Sequence, residues 1–143
     1  MLSRVILIED EDLLRDALER AFKRRGYEVI SVSGPTFCPA FMNSESACTA
    51  EQPCGDFILT DNNMPDMSGL DFIARQREKG CKGAVSNVAV MSACWDEEEL
   101  LKAQELGCKI FQKPLDLKEV LAWLDANKQT LNPDRELIPL NPD

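Results

Sequence analysis

Residues 57–69 have the sequence FILTDNNMPDMSG, which joins a short apolar run to a polar turn. The run at residues 57–60 ends in a β-branched threonine and predicts a buried strand. Asp61 follows that strand directly, and Asn62 and Asn63 after it are typical of a turn. Ser68 stands where a helix N-cap is expected, with Asp71 three residues later as in a capping box. The stretch therefore predicts a strand, a loop that opens with a carboxylate, and a helix.

The same order of strand, loop and helix recurs, with further strand-like runs at residues 5–8, 27–32, 88–91 and 109–111. Amphipathic helical stripes begin at Leu13, Leu70, Leu100 and Leu117. We expect Leu100 and Leu101 to face the core, and Gly26 and Gly107 are placed to end two helices. Five strands that alternate with helices predict an α/β fold with a doubly wound, five-stranded parallel sheet. The strand order 2-1-3-4-5 is one common solution for such a sheet.

The chain has 143 residues, a length that suits one domain with a full hydrophobic core. We expect a single domain at residues 1–128 and an extended C-terminal tail or linker at residues 129–143, which is rich in proline towards its end. Residues 34–55 fall where the second helix of the alternation is due. They contain Pro35, Pro39 and Pro53 and no clean helical period, so we expect a short or irregular helix there.

The formal net charge is −9, from 16 basic and 25 acidic residues, and it disfavours direct binding to nucleic acid or to an anionic membrane surface. No apolar run approaches the ~20 residues of a membrane span, and the first residues lack the pattern of a signal peptide. We therefore expect a cytoplasmic protein without membrane insertion. Six cysteines without a C-x-x-C pair predict free thiols, with a redox or metal site at Cys38, Cys48 and Cys54 as the alternative. The chain has no histidine, so any imidazole that a mechanism needs must come from a partner.

Polar residues follow four of the predicted strands, at the edge of the sheet where ligands bind in folds of this class. They are Glu9, Asp10, Asp61, Ser92 and Lys113. Carboxylates that lie close together repel one another, and a bound cation removes that cost. Oxygen ligands without sulfur or imidazole suit a hard ion, so the cluster predicts a Mg²⁺ site.

Phosphoryl transfer is the reaction that this set of groups suits best. An aspartate can attack phosphorus and form an aspartyl phosphate, which makes Asp61 a candidate nucleophile. Mg²⁺ and Lys113 would neutralise the phosphoryl oxygens, and Ser92 would donate a hydrogen bond to one of them. Each group alone has a plainer explanation: an acidic helix start, a turn aspartate, a helix cap or a surface lysine. Their coincidence at four strand ends favours the functional interpretation.

Four stretches of the sequence resemble the response-regulator receiver family. They are ILIEDED at residues 6–12, ILTDNNMPDMSG at residues 58–69, MSA at residues 91–93 and KP at residues 113–114. The resemblance covers about residues 3–128, and the pattern D-x-x-M-P-x-M-x-G is very specific. It implies the flavodoxin-like (βα)5 receiver fold of two-component signalling and dependence on Mg²⁺. It also implies phosphorylation by a sensor histidine kinase or a histidine phosphotransfer protein.

The resemblance further implies a role for each residue at the predicted sheet edge. Asp61 would be the phosphoacceptor, Ser92 the switch hydroxyl and Lys113 the phosphate-contacting lysine. The metal ligands would be Asp10 and Asp61 directly, Glu9 directly or through water, and the backbone carbonyl of Asn63.

Two positions depart from the family pattern. Glu9 stands where members often have an aspartate, and its side chain is longer. The switch aromatic of the family commonly lies three residues before the lysine, where this chain has Ile110, with Phe111 next to it. Both residues are candidates for that role.

We expect a phosphorylation-driven switch and not an enzyme with a separate substrate, so that its only catalysis concerns its own phosphorylation and dephosphorylation. The switched surface would bind a downstream protein that the sequence does not identify, and phosphorylated chains could form homodimers. A phosphorylation-independent interaction module on the same fold is the first alternative. A Mg²⁺-dependent aspartyl-phosphate phosphatase is the second, and Asn63 argues against it because those enzymes carry an acid/base aspartate at that position.

Overall fold

The computed structural model describes residues 3–34, 54–65, 67–78 and 87–137 of the chain. The strands are β1 (Arg4–Ile8), β2 (Glu28–Val32), β3 (Phe57–Asp61), β4 (Val88–Ser92) and β5 (Lys109–Gln112). The helices in these ranges are α1 (Asp12–Arg24), α2 (Gly69–Glu78), α3 (Glu97–Leu106) and α4 (Leu117–Lys128). The short or irregular helix expected within residues 34–55 falls almost entirely outside the described residues.

All five strands run parallel in one sheet with the order β2-β1-β3-β4-β5, which confirms the predicted fold. Every residue of β1, β3 and β4 is buried, as expected for strands that are covered on both faces. The register pairs Ile8 with Thr60, Asp61 with Met91, and Ser92 with Gln112. The carboxyl ends of β1, β3, β4 and β5 therefore lie side by side along one edge of the sheet.

Alternate residues of the central strands supply two cores, one on each face of the sheet. Val5, Leu7, Phe57 and Leu59 pack on one face with Phe22 of α1 and Leu124 of α4. Ile6, Ile8 and Ile58 pack on the other face with Phe72 and Ile73 of α2. Full burial of one such side chain contributes roughly 1.5–3 kcal/mol relative to exposure. The two cores therefore stabilise the strands whose carboxyl ends form the sheet edge described above.

Helix ends follow the local signals of the sequence. Gly26, with φ +100°, and Gly107, with φ +71°, adopt left-handed conformations after α1 and α3, as predicted. Ser68 Oγ accepts a hydrogen bond from the Asp71 N–H at 3.0 Å, which caps α2. Asp96 and Glu99 form a reciprocal capping box at the start of α3.

The prediction that Leu100 and Leu101 face the core is wrong. Leu100 is 41% exposed and Leu101 57% exposed, whereas Ala103 is fully buried. Because a helix turns once in about 3.6 residues, Leu101 lies roughly 200° around α3 from Ala103 and points outwards. Leu100 lies one turn before Ala103, in the first turn of a short helix, where the sheet covers it only in part. In the described part of the chain, no helix combines the length and the apolar character that a membrane span requires.

Residues beyond α4 return to the domain. Leu131 packs against the core that contains Phe57, and the Arg135 N–H donates to the Asn132 carbonyl at 3.2 Å in a turn. The Arg135 guanidinium pairs with the buried Asp56 carboxylate, with Nη2 2.6 Å from Oδ2. Asp56 precedes β3, so this contact lies at the amino ends of the strands, away from Asp61.

Candidate functional site

Three carboxylates meet at the carboxyl edge of the sheet. Glu9 and Asp10 follow β1 directly, and Asp61 is the last residue of β3. One ligand oxygen from each lies within 4.8 Å of the others. Glu9 is fully buried and Asp61 is 3% exposed, while Asp10 faces solvent. An all-oxygen set that is open on one side fits a hard divalent cation that keeps several waters, as Mg²⁺ does.

Lys113 closes the cluster on the side of β5. Its Nζ lies 2.7 Å from Glu9 Oε1 and 3.3 Å from Asp61 Oδ1. The Lys113 N–H donates to the Ser92 carbonyl at 2.9 Å, which fixes the backbone that carries this side chain. Burial alone would lower the pKa of Lys113, but the two carboxylates outweigh burial and raise it. The ammonium group therefore remains charged beside Asp61.

The carboxyl groups have shifted pKa values. Burial raises the pKa of Glu9 to about 7, and this shift exceeds the lowering by the hydrogen bond from Lys113. Burial also raises the pKa of Asp61, with Lys113 opposing the shift. Burial would raise the pKa of Asp10 as well, but hydrogen bonds shared with Glu9 and Asp61 outweigh it and lower that pKa. Without a cation, the cluster thus retains protons towards neutral pH, and a cation would displace them.

Ser92 and Asn63 lie beside the acidic cluster and contact each other. The Asn63 N–H donates to Asp61 Oδ1 at 3.3 Å, and Asn63 Nδ2 donates to Ser92 Oγ at 3.1 Å. The Ser92 hydroxyl donates to the Cys94 carbonyl at 2.9 Å and accepts from the Cys94 N–H at 3.2 Å. The structure therefore brings together all the residues that the sequence predicted at this edge.

Gly69 allows α2 to start directly against the loop that carries Asp61. A Cβ atom at Gly69 would lie 2.5 Å from the Asp61 carbonyl oxygen, closer than any side chain tolerates. The Gly69 N–H donates to the Asn62 carbonyl at 3.0 Å, and the Asn62 N–H donates to the Met91 carbonyl at 2.8 Å. The backbone after Asp61 is thus held between α2 and β4.

The sequence did not reveal the contact between Asn62 and Glu99. Asn62 is 1% exposed, and its Nδ2 donates to Glu99 Oε2 at 2.5 Å, from the loop after β3 to the first turn of α3. Asn62 Oδ1 accepts from the Leu70 N–H at 3.2 Å. The acids at the start of α3 indicated a helix cap, but no local pattern links two residues that lie 37 positions apart.

Phe111 and Ile110, the two candidates for a switch aromatic, lie on opposite faces of the sheet. Phe111 packs in the core beside Trp123, with 5.9 Å between the ring centroids. Ile110 packs on the face that α3 covers, and Trp95 from the loop after β4 packs against the same core cluster. Trp95 Nε1 donates to the Phe111 carbonyl at 3.3 Å. On the α3 face, the aromatic ring therefore comes from Trp95 and not from β5.

The known proteins that resemble this chain are response regulators and their receiver domains. A family model described as the response regulator receiver domain matches residues 5–125. The chain belongs to this family. Receiver domains of two-component systems are signalling modules, and the family typically binds Mg²⁺ at an acidic pocket. This chain has an acidic cluster of Glu9, Asp10 and Asp61.

Individual relatives support the same assignment. The transcriptional regulatory protein KdpE of Mycobacterium tuberculosis is 33% identical over 124 residues, which cover 85% of this chain and 49% of that protein. The transcriptional regulator NtrC of Proteus hauseri is 30% identical over 125 residues, which cover 85% of this chain and 24% of that protein. The crystal structure of a response regulator receiver protein from Pseudomonas putida superposes with a TM-score of 0.73 at 25% identity, covering 88% of this chain and 98% of that one. This receiver thus spans half or less of the length of these curated relatives.

Proposed function

We propose that Asp61 accepts a phosphoryl group from a phosphohistidine, carried by a sensor histidine kinase or a histidine phosphotransfer protein. The observation that carries this proposal is the buried carboxylate of Asp61 between two other carboxylates and the Lys113 ammonium group. Glu9, Asp10 and Asp61, with the backbone carbonyl of Asn63, would hold Mg²⁺. The ion would neutralise charge on the phosphoryl oxygens.

Three side chains of the receiver have different roles in the phosphoryl transfer. A carboxylate oxygen of Asp61 attacks phosphorus, the new O–P bond forms as the P–N bond of the donor breaks, and the electron pair stays on the donor imidazole. Lys113 Nζ lies 3.3 Å from Asp61 Oδ1, so its charge stands where the phosphoryl oxygens arrive. The Ser92 hydroxyl exchanges its hydrogen bond with the Cys94 carbonyl for one with a phosphoryl oxygen. This exchange moves the loop after β4, which is the start of the switch.

A groove beside the site gives the donor a place to bind. It has a volume of about 550 Å³ and lies between α1 and the loop after β5. Its lining is mostly apolar, with Leu14, Leu18 and Pro114, and Lys113 at one side connects it to Asp61. Because these 143 residues contain no histidine, the imidazole has to come from outside this receiver, and the apolar face of a donor helix would bury its side chains here. We propose that this phosphoryl transfer takes place in the cytoplasm.

Incubation with acetyl phosphate and Mg²⁺, followed by intact-mass measurement, tests the proposal. The wild-type chain should gain the mass of one phosphoryl group, and removal of Mg²⁺ with a chelator should prevent the gain. Asp61→Asn should gain nothing, whereas the control Asp71→Asn, which changes an exposed aspartate of α2, should react like wild type. A wild-type chain that stays unmodified, or an Asp61→Asn variant that is modified equally, would refute the assignment.

A further inference from the structure

The residue after the proposed acceptor connects two helices through one buried amide. The side chain of Asn62 accepts from the Leu70 N–H of α2 and donates to the Glu99 carboxylate of α3. The bond to Glu99 joins an amide donor to a carboxylate, and such charge-assisted bonds are shorter and stronger than bonds between neutral groups. The bond from the Leu70 N–H needs only an oxygen acceptor, whereas the NH2 group of the amide serves the bond to Glu99.

Glu99 transmits any displacement of Asn62 to the start of α3. Its Oε2 accepts from Asn62, while its Oε1 accepts from the Asp96 N–H at 3.2 Å. The Glu99 N–H in turn donates to Asp96 Oδ1 at 2.8 Å. The two oxygens of one carboxylate thus join the loop after β3 to the capping box of the helix, so a shift of that loop acts on the helix end through Glu99.

We propose that the hydrogen bond between Asn62 and Glu99 is a second link, beside the loop after β4, through which the state of Asp61 reaches the N-terminus of α3. This inference rests on the proposed function, because phosphorylation of Asp61 is the change that the link carries. Asn62 acts as a positioning residue: its side chain bonds to α2 and α3, and it sets the position of a helix. Trp95 directly precedes the cap residue Asp96, so its indole lies where the response is expected.

Beryllofluoride with Mg²⁺, a mimic of the phosphoryl group, provides the test in the full chain. Trp123→Phe removes the second tryptophan, so that the fluorescence reports Trp95 alone. Binding of beryllofluoride is measured separately by ¹⁹F NMR. We expect Asn62→Leu to bind the mimic and to show less than half of the Trp95 response of the parent. Glu99→Gln changes a half-buried side chain, removes its charge and replaces one of its two accepting oxygens by an NH2 group. Because the remaining oxygen can still accept from Asn62, this variant should show a smaller loss.

The matched control separates the link from the helix cap. Asp96→Ala removes the capping side chain but leaves both partners of the link, and it should keep the Trp95 response. An Asn62→Leu or Glu99→Gln variant that binds beryllofluoride and responds like its parent would overturn the link and leave the proposed function standing. A parent chain that binds no beryllofluoride and takes up no phosphoryl group would overturn both. These two failures are therefore distinguishable.

Discussion

Glu9 is a carboxyl group in which burial and charge oppose each other. It is fully buried beside Asp61, and burial raises its pKa to about 7, although Lys113 lies 2.7 Å away. Its pKa in the unfolded chain is near 4.5. A carboxyl group whose pKa is higher in the folded state binds its proton more tightly there, so its contribution to stability is lost as pH rises from about 4.5 to 7.

We therefore predict that Glu9→Gln stabilises the metal-free chain at pH 8 but not at pH 4. The gain at pH 8 should be on the order of 3 kcal/mol at most, since one pKa unit corresponds to about 1.4 kcal/mol. Urea unfolding at both pH values with a chelator present measures it. Added Mg²⁺ should reverse the order at pH 8, because the ion stabilises the carboxylate of the wild type and not the amide. If wild type and Glu9→Gln have the same free energy of unfolding at pH 8 as well as at pH 4, the raised pKa of Glu9 is contradicted.

At this scale, the sequence predicted the acidic edge because the carboxyl ends of parallel strands must align once their order is fixed. The positions of Asp61, Ser92 and Lys113 followed from the ends of three short apolar runs. The contact between Asn62 and Glu99 could not be predicted in this way. It depends on where α3 lies relative to the loop after β3, and that placement comes from tertiary packing and not from local pattern.

The junction of β3 and α2 is the element on which the geometry of Asp61 depends most directly. Gly69 begins α2 against the Asp61 carbonyl, and a Cβ atom there would approach that oxygen to 2.5 Å. Gly69→Ala should therefore push α2 away from the loop and destabilise the domain by roughly 1–3 kcal/mol. Phosphorylation by acetyl phosphate should also slow, because the displaced loop carries the acceptor. Urea unfolding and the intact-mass time course measure the two effects.

Gly34→Ala is the control for that change, since among the described residues a Cβ atom at Gly34 would have no heavy atom within 4 Å apart from its chain neighbours. It should be neutral or slightly stabilising, because alanine restricts the unfolded chain more than glycine does. A Gly69→Ala variant as stable as Gly34→Ala would show that α2 can shift at little cost.

Helical stripes predicted the existence of the elements better than they predicted which residues the elements bury. In α1, Leu18 and Phe22 of the apolar stripe are buried, yet Leu13 at the start of the same stripe is 82% exposed. Leu100 and Leu101 of α3 were likewise predicted to face the core and are exposed. The first turns of these helices lie beside the loops at the sheet edge, where the strands no longer cover them. A pattern of apolar residues shows which face of a helix is apolar. It does not show where along the helix the packed strands stop covering that face.

At the scale of the whole molecule, the two ends of the sheet differ in the residues that they carry. The carboxyl ends of the strands carry Glu9, Asp61 and Lys113, while the amino ends carry a structural contact with the C-terminal segment. There the Arg135 guanidinium pairs with Asp56, which is 4% exposed and also accepts from the Arg4 N–H at 2.9 Å. Removing one partner of a buried ion pair leaves an uncompensated charge.

We predict that Arg135→Gln lowers the free energy of unfolding by roughly 2–4 kcal/mol, because Asp56 loses its ionic partner in a buried position. The rate of phosphorylation at Asp61 should not change, since that site lies at the opposite end of the strands. Urea unfolding gives the first value and the acetyl phosphate time course the second. Arg20→Gln is the matched control: its pair with Asp16 is exposed at 75% and 54%, and it should cost at most about 0.5 kcal/mol. If Arg135→Gln behaves like Arg20→Gln, the contact between Arg135 and Asp56 does not stabilise the receiver.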